Sequence, residues 1–454
     1  MEKLNLFPDF YRPSLRKKVN TFFIGMTCAL IVLGLWFGYF LATRESELGQ
    51  ILILILSSYS GLSFLRMIFY VYGDLKFTQI QKKTVDIEEE ELPFISVLVP
   101  AYNEAEVIAE VIKNYELIDY PHFEIIIVDD GSKDQGYEIA LKEAALSPVT
   151  IRVFKKENGG KASALNFALE KAKGEFVLCM DADSKLAPLT LRKGVRHFLV
   201  NPNLSAVAGM VKVENNKSFI GGMQYLDYLY GHFQKKILSV YKSVTIVPGP
   251  IGLFRKRDLD SVGGYERENT TYAEDTELTL KLLSCGKDII LEEGMVSYTE
   301  APVSYRDLYR QRYRWTRGIF QAVMKNAQRF LEAEDSKYHK ILCYLLWEQV
   351  LFPLIDFMLL LIFLCSYFFS PLSLEVSYLI LYIYGMDLIV TALATRGEKR
   401  KLHWLLQSFI ARFFYTNILV VWKISAFFDE WVARGMSWDK LERTGFNKSV
   451  VVEN

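Results

Sequence analysis

The sequence predicts an α/β domain that lies between membrane-spanning helices. From Phe94 onwards, short apolar runs alternate with stretches whose apolar residues recur at helical spacing. This alternation is typical of a mostly parallel sheet covered by helices on both faces. Long, nearly uncharged apolar runs precede and follow the region, and a helix needs about 20 apolar residues to cross a bilayer. We therefore expect an α/β domain at residues 94–302, flanked by membrane segments.

The composition is typical of a membrane-embedded enzyme. Apolar residues make up 51% of the chain and aromatic residues 14%. The formal net charge is zero, so no general attraction to nucleic acid is indicated and we expect no nucleic-acid partner. The cysteines are scattered without the spacing of a metal site or disulfide framework, which is typical of a reducing compartment. The first apolar run begins late and is followed by charged residues, so we do not expect a cleaved signal peptide.

Residues 1–93 are predicted to contain two transmembrane helices, at about 21–41 and 51–72. Basic residues lie before the first run and after the second, which predicts that both ends face the cytosol. A buried hairpin of a soluble protein is the alternative, and two runs of this length disfavour it. The basic residues include Lys17, Lys18, Lys82 and Lys83.

Four short apolar runs are predicted to be strands of one sheet, with helices between them. The predicted strands are Ile95–Pro100, Glu124–Asp130, Val149–Phe154 and Glu175–Asp183, and the predicted helices are Glu104–Asp119, Lys133–Leu146 and Lys161–Lys173. Ligands of such sheets bind beyond the carboxyl ends of the strands. Polar residues lie at those ends here, and turn formation alone accounts for any one of them. Several on one edge predict a binding site, and the polar residues at these ends include Tyr102, Glu104, Asp130, Lys161, Asp181 and Asp183.

The Asp-x-Asp pair after the fourth run predicts a metal site. Asp181 and Asp183 have the spacing that lets two carboxylates share Mg²⁺ or Mn²⁺, which would keep open positions for a diphosphate. Lys161 begins its predicted helix, from where its ammonium could reach a phosphate.

Two acidic residues open a later predicted helix, Thr276–Ser284. Glu274 and Asp275 could simply cap that helix. Beside a metal–diphosphate site, a carboxylate at this place is equally suited to act as a general base. The residue pattern leaves both interpretations open.

Residues 303–335 are predicted to form an interfacial helix that is rich in arginine and aromatic residues. Gln311, Arg312, Arg314 and Trp315 lie at its centre. Guanidinium groups cannot be buried without partners. They would bind a diphosphate while the tryptophan provides a platform for a sugar. A basic amphipathic helix on anionic lipid is the alternative.

Residues 336–454 are predicted to return to the membrane and to end in a cytosolic tail. Spans are expected at about 341–368 and 374–393. Glu348 and Asp356 within the first could line a sugar path or face polar neighbours. The last apolar segment, 404–428, contains Gln407, Arg412 and Lys423. We therefore interpret it as an interfacial helix rather than a fifth span.

The ordered motifs resemble those of the family 2 glycosyltransferases, specifically the membrane-integrated processive β-glycan synthases. This group makes cellulose, chitin, hyaluronan, mixed-linkage glucan and poly-N-acetylglucosamine. The motifs are VPAYNE (99–104), DDGS (129–132), NGGKASALN (158–166), DAD (181–183), AEDTEL (273–278) and QRYRW (311–315). The resemblance covers roughly Phe94–Arg329 and implies a Rossmann-like domain of the GT-A type.

The resemblance also implies a role for each motif. Tyr102 and Glu104 would border the uracil and ribose, Asp130 would hold the nucleoside, and Lys161 and Asp181 would place the nucleotide. Asp183 would bind the metal, and Asp275, beside Glu274, would deprotonate the acceptor. Gln311, Arg312 and Arg314 would meet the diphosphate, and Trp315 would lie under the acceptor sugar. Two residues depart from the usual pattern: Ala273 replaces a threonine, and Pro250 follows Gly249.

The predicted function is therefore processive, inverting transfer from UDP-glucose or UDP-N-acetylglucosamine to a growing β-glycan, with export through the membrane. The expected location is the bacterial plasma membrane, with several spans and a cytosolic catalytic domain. Membrane lipid and an accessory export subunit are the other expected partners. Transfer of a single sugar to a polyprenyl phosphate or glycolipid is the alternative. An inactive scaffold is disfavoured because Asp181, Asp183 and Asp275 are all present.

Overall fold

The structure is a computed structural model that describes residues 47–81, 92–266, 271–333, 335–355, 357–359, 361, 374–396, 398 and 401–432. The chain forms two compact units. One, here called the sheet unit, comprises the described parts of residues 70–311 and 321–341. The other, the helical unit, comprises the described parts of residues 1–69, 312–320 and 342–439. The predicted span at 21–41, Asp356 and the C-terminal tail lie outside the described residues.

The sheet unit is built on one eight-stranded sheet with the order β3-β2-β1-β4-β7-β6-β8-β5. Strands β1 to β4 are mutually parallel neighbours, whereas β7 runs antiparallel to both β4 and β6. Strand β6 pairs in parallel with β8. The strands are Ile95–Ala101 (β1), Phe123–Asp129 (β2), Ile151–Lys155 (β3), Phe176–Cys179 (β4), Lys185–Leu186 (β5), Leu204–Val213 (β6), Gly252–Arg255 (β7) and Asp288–Thr299 (β8).

Helices cover this sheet and follow the predicted alternation. They are Ile108–Tyr115 (α1), Gly136–Leu146 (α2), Lys161–Lys171 (α3), Thr190–Val200 (α4), Phe219–Val240 (α5), Lys256–Ser261 (α6) and Glu274–Ser284 (α7). Strands β1 and β4 are continuous apolar runs because both of their faces are covered. The hydrophobic core packed against these strands includes Tyr115, Phe176 and Val97, which are fully buried.

The four predicted strands and the helices between them are confirmed, with ends that differ by a few residues. The fourth strand is shorter than predicted: it ends at Cys179, so Asp181 and Asp183 lie in the turn that follows it. The sheet is parallel only in its first half. The antiparallel strand β7 arises from the end of the apolar run Val244–Arg255, for which the sequence pattern predicted no pairing direction.

A long helix, Tyr305–Glu332 (α8), contains the QRYRW residues. Its N-cap is Ser304, whose hydroxyl accepts a hydrogen bond from the Asp307 N–H. The remaining helices are Glu47–Gln81, Ser336–Leu346, Leu374–Ala394, Lys401–Ile410 and Thr416–Trp431, and the last is here called α9. Short π-helical segments occur at Trp347–Leu351 and Ala411–Tyr415.

The described residues contain one helix, Lys337–Leu359, that is long and apolar enough to cross a membrane. A shorter apolar helix is Gly385–Ala394. Within the helical unit, an Nη atom of Arg66 lies 3.5 Å from Glu348 Oε1. This contact fits the alternative in which Glu348 faces polar neighbours rather than a sugar path. The predicted arrangement of four spans and one interfacial helix stays a prediction.

Candidate active site

The polar residues that follow β1, β2 and β4 lie at one edge of the sheet because these strands are parallel. The register aligns Ala101 with Asp129, and both strands end there. Cross-strand hydrogen bonds then join the two loops that follow. The Asn103 N–H donates to Ser132 Oγ at 2.8 Å, and the Lys133 N–H donates to Asn103 Oδ1 at 2.8 Å. Asn103 adopts a positive φ of 54°, which brings its side chain over the second loop.

A small recess lies between these loops and the helices that follow them. Its cavity volume is about 10 Å³, enough for about one water molecule, and its lining residues include Glu104, Asp129, Ser132 and Tyr137. Glu104, predicted to border a nucleoside, is one of the residues that line this recess. Tyr102 is not among the lining residues, although it lies in the same loop.

Asp130 organises the NGGK loop through its carboxylate. The N–H groups of Gly159 and Gly160 donate to Asp130 at 3.1 Å and 2.7 Å, and Lys156 Nζ lies 2.7 Å from Oδ1. Gly160 has a φ of 86°, a conformation that a side chain would strain. Asp130 is only 3% exposed, so its carboxylate is already surrounded by donors of its own chain. The structure thus gives Asp130 a loop-positioning contact that the sequence did not indicate.

Lys161 connects three of the motifs. It is the first residue of α3, and its Nζ lies 2.6 Å from Asp181 Oδ1 and 2.9 Å from Glu274 Oε1. Burial of the ammonium opposes its charge, but the two carboxylates outweigh burial and raise the pKa of Lys161 above its usual value. A permanent positive charge therefore lies between the DAD turn and the start of α7.

Asp275 lies in the first turn of α7 and is held by backbone donors. Its Oδ2 accepts the Gly249 N–H at 3.1 Å, and its Oδ1 accepts the Thr276 N–H at 2.6 Å. Burial, followed by the negative charge of Glu274, raises the pKa of Asp275, while Lys161 acts in the opposite direction. A carboxylate with a raised pKa accepts a proton more readily, which suits a general base.

Glu274 is the first residue of α7, where its negative charge also suits the helix dipole. The N-cap residue is Ala273, which makes no side-chain capping hydrogen bond. Glu274 forms an ion pair with Lys161. Its carboxylate therefore acts on the charge balance of the site and, through repulsion, on Asp275.

Asp181 and Asp183 offer two carboxylates on one turn. Asp183 is 8% exposed, and the Ser184 hydroxyl lies 3.4 Å from its Oδ1. No cluster of three or more His, Cys, Asp or Glu side chains suited to a metal occurs among the described residues. Two carboxylates on one turn are ligands that suit a hard cation whose remaining ligands would come from a diphosphate and water.

The QRYRW residues lie within one continuous helix, α8. The guanidinium carbon of Arg312 lies 4.6 Å from the centre of the Trp315 ring, a cation–π contact between residues three apart. Gln311 and Trp315 are four residues apart and therefore share one face of the helix. The arginine-rich segment is thus helical and stacked on its own tryptophan.

The structure adds site residues that the sequence motifs did not identify. Gly249 contributes through its N–H alone, and Lys156 precedes the recognised NGGK motif. Lys235 of α5 is a third: burial lowers the pKa of its ammonium to about 8, and the charge of Asp275 partly offsets this. A hydrogen bond from a backbone N–H leaves no trace in residue identity. Lys235 could have been noticed only as a lysine within a largely apolar helix.

Comparison with known proteins identifies the family. The model of glycosyl transferase family 2 matches residues 96–263. These residues form a family 2 glycosyltransferase domain. The match covers β1 to β7 and includes four of the six motifs. The GT-A type of fold expected from the sequence is therefore confirmed for this glycosyltransferase domain.

Curated relatives extend the similarity beyond this domain. The chain is 29% identical over 273 residues to a poly-β-1,6-N-acetyl-D-glucosamine synthase of Staphylococcus epidermidis, covering 57% of this chain and 64% of the relative. It is 29% identical over 288 residues to the Staphylococcus aureus protein of the same name, covering 62% and 67%. The chain thus spans about two thirds of the length of these relatives. The resemblance to the β-glycan synthase group is confirmed.

A solved structure has the same fold. It is a mannosyltransferase from Pyrobaculum calidifontis in complex with GDP-Man and Mn²⁺. It is 22% identical, has a TM-score of 0.52, and the match covers 79% of this chain and 99% of that one.

Proposed function

We propose that the protein is a processive, inverting glycosyltransferase that polymerises UDP-N-acetylglucosamine into a β-linked polysaccharide. The observation that carries the chemistry is the arrangement around Lys161, which brings the DAD turn and the Glu274–Asp275 pair to one cation. Of the two donors that the sequence predicted, N-acetylglucosamine is favoured because both curated relatives are named as synthases of its polymer.

The proposed reaction uses Asp275 as the base. The carboxylate accepts the proton of an acceptor hydroxyl, whose oxygen attacks the anomeric carbon from the face opposite the diphosphate. The bond from this carbon to the diphosphate oxygen breaks, and UDP leaves with the bonding electrons. An α-linked donor thereby becomes a β-linkage. Two backbone N–H groups hold the Asp275 oxygens in a fixed orientation before the acceptor binds, which reduces the reorganisation needed in the transition state.

Charge on the leaving UDP is offset by residues of three motifs in this proposal. Lys161 provides a cation at the start of α3, where the helix dipole also favours an anion. Asp181 and Asp183 would hold Mg²⁺ or Mn²⁺, and such an ion stabilises negative charge on the departing phosphates. Gln311, Arg312 and Arg314 would contact the same diphosphate, and Trp315 would support the acceptor sugar. The cation–π contact between Arg312 and Trp315 favours a shared role for these two side chains.

The uridine is proposed to bind at the loops after β1 and β2. Tyr102 and Glu104 border this place, and Asp130 keeps the adjacent NGGK loop in position.

We further propose a bacterial plasma membrane location with a cytosolic glycosyltransferase domain and passage of the glycan through the membrane helices. The apolar helix Lys337–Leu359 and the long apolar runs of the sequence support this proposal. Lipid and an accessory export subunit are the other proposed partners.

The test uses the full chain in lipid vesicles with Mg²⁺ or Mn²⁺. UDP-N-acetylglucosamine, UDP-glucose and UDP-glucuronate are supplied separately, and products are sized and digested with linkage-specific hydrolases. We expect a polymer from UDP-N-acetylglucosamine alone, and none from Asp275→Asn, which should still bind UDP. A product one sugar longer than its acceptor would instead favour transfer to a lipid. No turnover with any donor would reject the proposal.

A further inference from the structure

The QRYRW helix has two faces that carry different kinds of contact. Successive residues of an α-helix are rotated by about 100° because one turn takes 3.6 residues. Tyr313, Arg317 and Phe320 therefore fall on one side of α8. Gln311 and Trp315 fall on the opposite side, and both belong to the recognised motif. The first side is fixed by contacts within the helical unit.

Three residues near the end of α9 supply these contacts. Arg317 Nε and Nη2 both donate to Glu430 Oε2, at 2.9 Å and 2.8 Å. The Tyr313 hydroxyl donates to Asp429 Oδ2 at 2.7 Å. The rings of Phe320 and Phe427 meet edge to face, with centres 5.4 Å apart.

The Arg317–Glu430 ion pair is buried, and it is connected to the Tyr313–Asp429 hydrogen bond. Arg317 is 3% exposed and Glu430 6%. Arg317 Nη1 also donates to the Tyr313 hydroxyl at 3.4 Å, so the two acidic residues act on one connected group. Removing one partner of a buried ion pair leaves an uncompensated charge, and such a pair therefore strongly favours a single arrangement. Arg317 is therefore engaged in this contact with Glu430.

We propose that Asp429 and Glu430 are positioning residues. They fix the rotation of the QRYRW segment about the axis of α8 and its position along α9. Through Tyr313 and Arg317 they set the direction in which Arg312, Arg314 and Trp315 project within the helical unit. This inference rests on the proposed function, because it assigns the C-terminal helix α9 a part in catalysis. Loss of the contact should impair the transition state more than donor binding, because the uridine contacts are supplied by other loops.

The test compares Glu430→Gln, Tyr313→Phe and Asp429→Asn with the control Glu332→Gln. Glu332 is an exposed acid of the same helix whose partner is Gln328. For the first three variants we expect kcat to fall about tenfold or more and the polymer to become shorter. A displacement of about 1 Å can cost as much as a hundredfold in rate. The KM for UDP-N-acetylglucosamine should stay within about twofold, and the control should match the wild type.

Exchange of the charges provides a second test. Arg317→Glu and Glu430→Arg should each reduce kcat more than the two changes combined, because the double variant restores opposite charges. If the variants fold and their kcat, KM and polymer length are unchanged, the contact between α8 and α9 serves stability only. This result would overturn the proposal. An absence of recovery in the exchange variant would also overturn it.

Failure of the proposed function gives a different result. If the wild type transfers only one sugar, the polymer proposal fails. The positioning residues are then tested on single-sugar transfer, where their variants should still lower kcat and leave KM nearly unchanged. If Glu430→Gln does not fold, the test uses Tyr313→Phe, Asp429→Asn and the double variant. Their Tm values, measured by thermal unfolding, form a double-mutant cycle. Additive shifts in Tm would show that the hydroxyl and carboxylate do not interact, and the proposal would fall.

Discussion

Lys161 Nζ lies 2.6 Å from Asp181 Oδ1, so that the first residue of α3 and the first residue of the DAD turn form an ion pair. The same ammonium reaches Glu274, one residue before Asp275. Charge at the proposed phosphate site and charge at the proposed base are therefore linked through one side chain. Substitutions at this point should change both.

Lys161→Gln is expected to reduce kcat about a hundredfold, as found when one positioned donor is removed from a reaction site. Asp181 and Glu274 would lose their shared cation, and the leaving UDP would lose one positive charge. Lys161→Arg should retain part of the activity because it keeps the charge. Steady-state rates with UDP-N-acetylglucosamine measure the effect. Lys171→Gln, in the last turn of the same helix, is the control. Equal rates for Lys161→Gln and the control would contradict a role for this ion pair.

The pH dependence should report the interaction between Glu274 and Asp275. Asp275 must be deprotonated to act as a base, so kcat/KM should rise as the pH passes upward through its pKa. Burial, followed by the charge of Glu274, raises that pKa. Glu274→Gln removes the second cause, so the acidic limb of the pH–rate profile should move to lower pH although the maximal rate falls. A limb that stays in place or moves to higher pH would contradict this assignment.

Divalent ions should be required through the two carboxylates of the DAD turn. EDTA is expected to stop the reaction, and Mg²⁺ or Mn²⁺ to restore it. Asp183→Asn should raise the Mn²⁺ concentration for half-maximal UDP binding about tenfold, because it replaces an anionic ligand by a neutral one. Calorimetry of UDP binding at varied Mn²⁺ measures this without turnover. Asp119→Asn, at a half-exposed ion pair with Arg192, is the matched control. Metal-independent UDP binding would contradict the assignment.

Much of the first half of the sheet could be predicted because strands β1, β2 and β4 are buried on both faces and are largely continuous apolar runs. The motif residues could be placed for the same reason: parallel strands bring their carboxyl ends together. The contact between Gly249 and Asp275 could not be predicted, since it joins a backbone N–H to a residue 26 positions away. No side-chain pattern encodes such a bond.

The predicted role of Asp130 illustrates a different limit. Its position at a strand end was predicted correctly, but a carboxylate there can contact a ligand, its own chain or both. Burial to 3% exposure and hydrogen bonds from the Gly159 and Gly160 N–H groups show contacts with its own chain. Likewise, Arg317 was one arginine among several in the sequence, and only packing against Glu430 separates it from the others.

Gly249→Ala is expected to reduce activity while leaving the fold intact. A Cβ at this position would lie 2.9 Å from Lys161 Nζ and 3.7 Å from Asp275 Oδ2. Either the lysine or the Gly249 N–H must then move, and the base would lose part of its orientation. We expect kcat to fall about tenfold, in line with the sensitivity of rates to small displacements. Gly231→Ala is the control, because a Cβ there meets nothing within 4 Å. Equal activities of the two variants would contradict the positioning role of Gly249.

Asp130→Asn should weaken donor binding more than it slows the chemical step. The substitution keeps one oxygen for Gly159 and Gly160 but removes the charge that attracts Lys156, 2.7 Å away. The NGGK loop would then be less ordered before the UDP-sugar binds. The entropic cost of ordering the loop on binding would lower the affinity for the donor. We expect a rise in KM of about tenfold, with kcat changed less. Lys156→Gln should produce a similar rise, and the double variant little more, because the two residues share one interaction. Additive effects of the two substitutions on KM would show that they act independently.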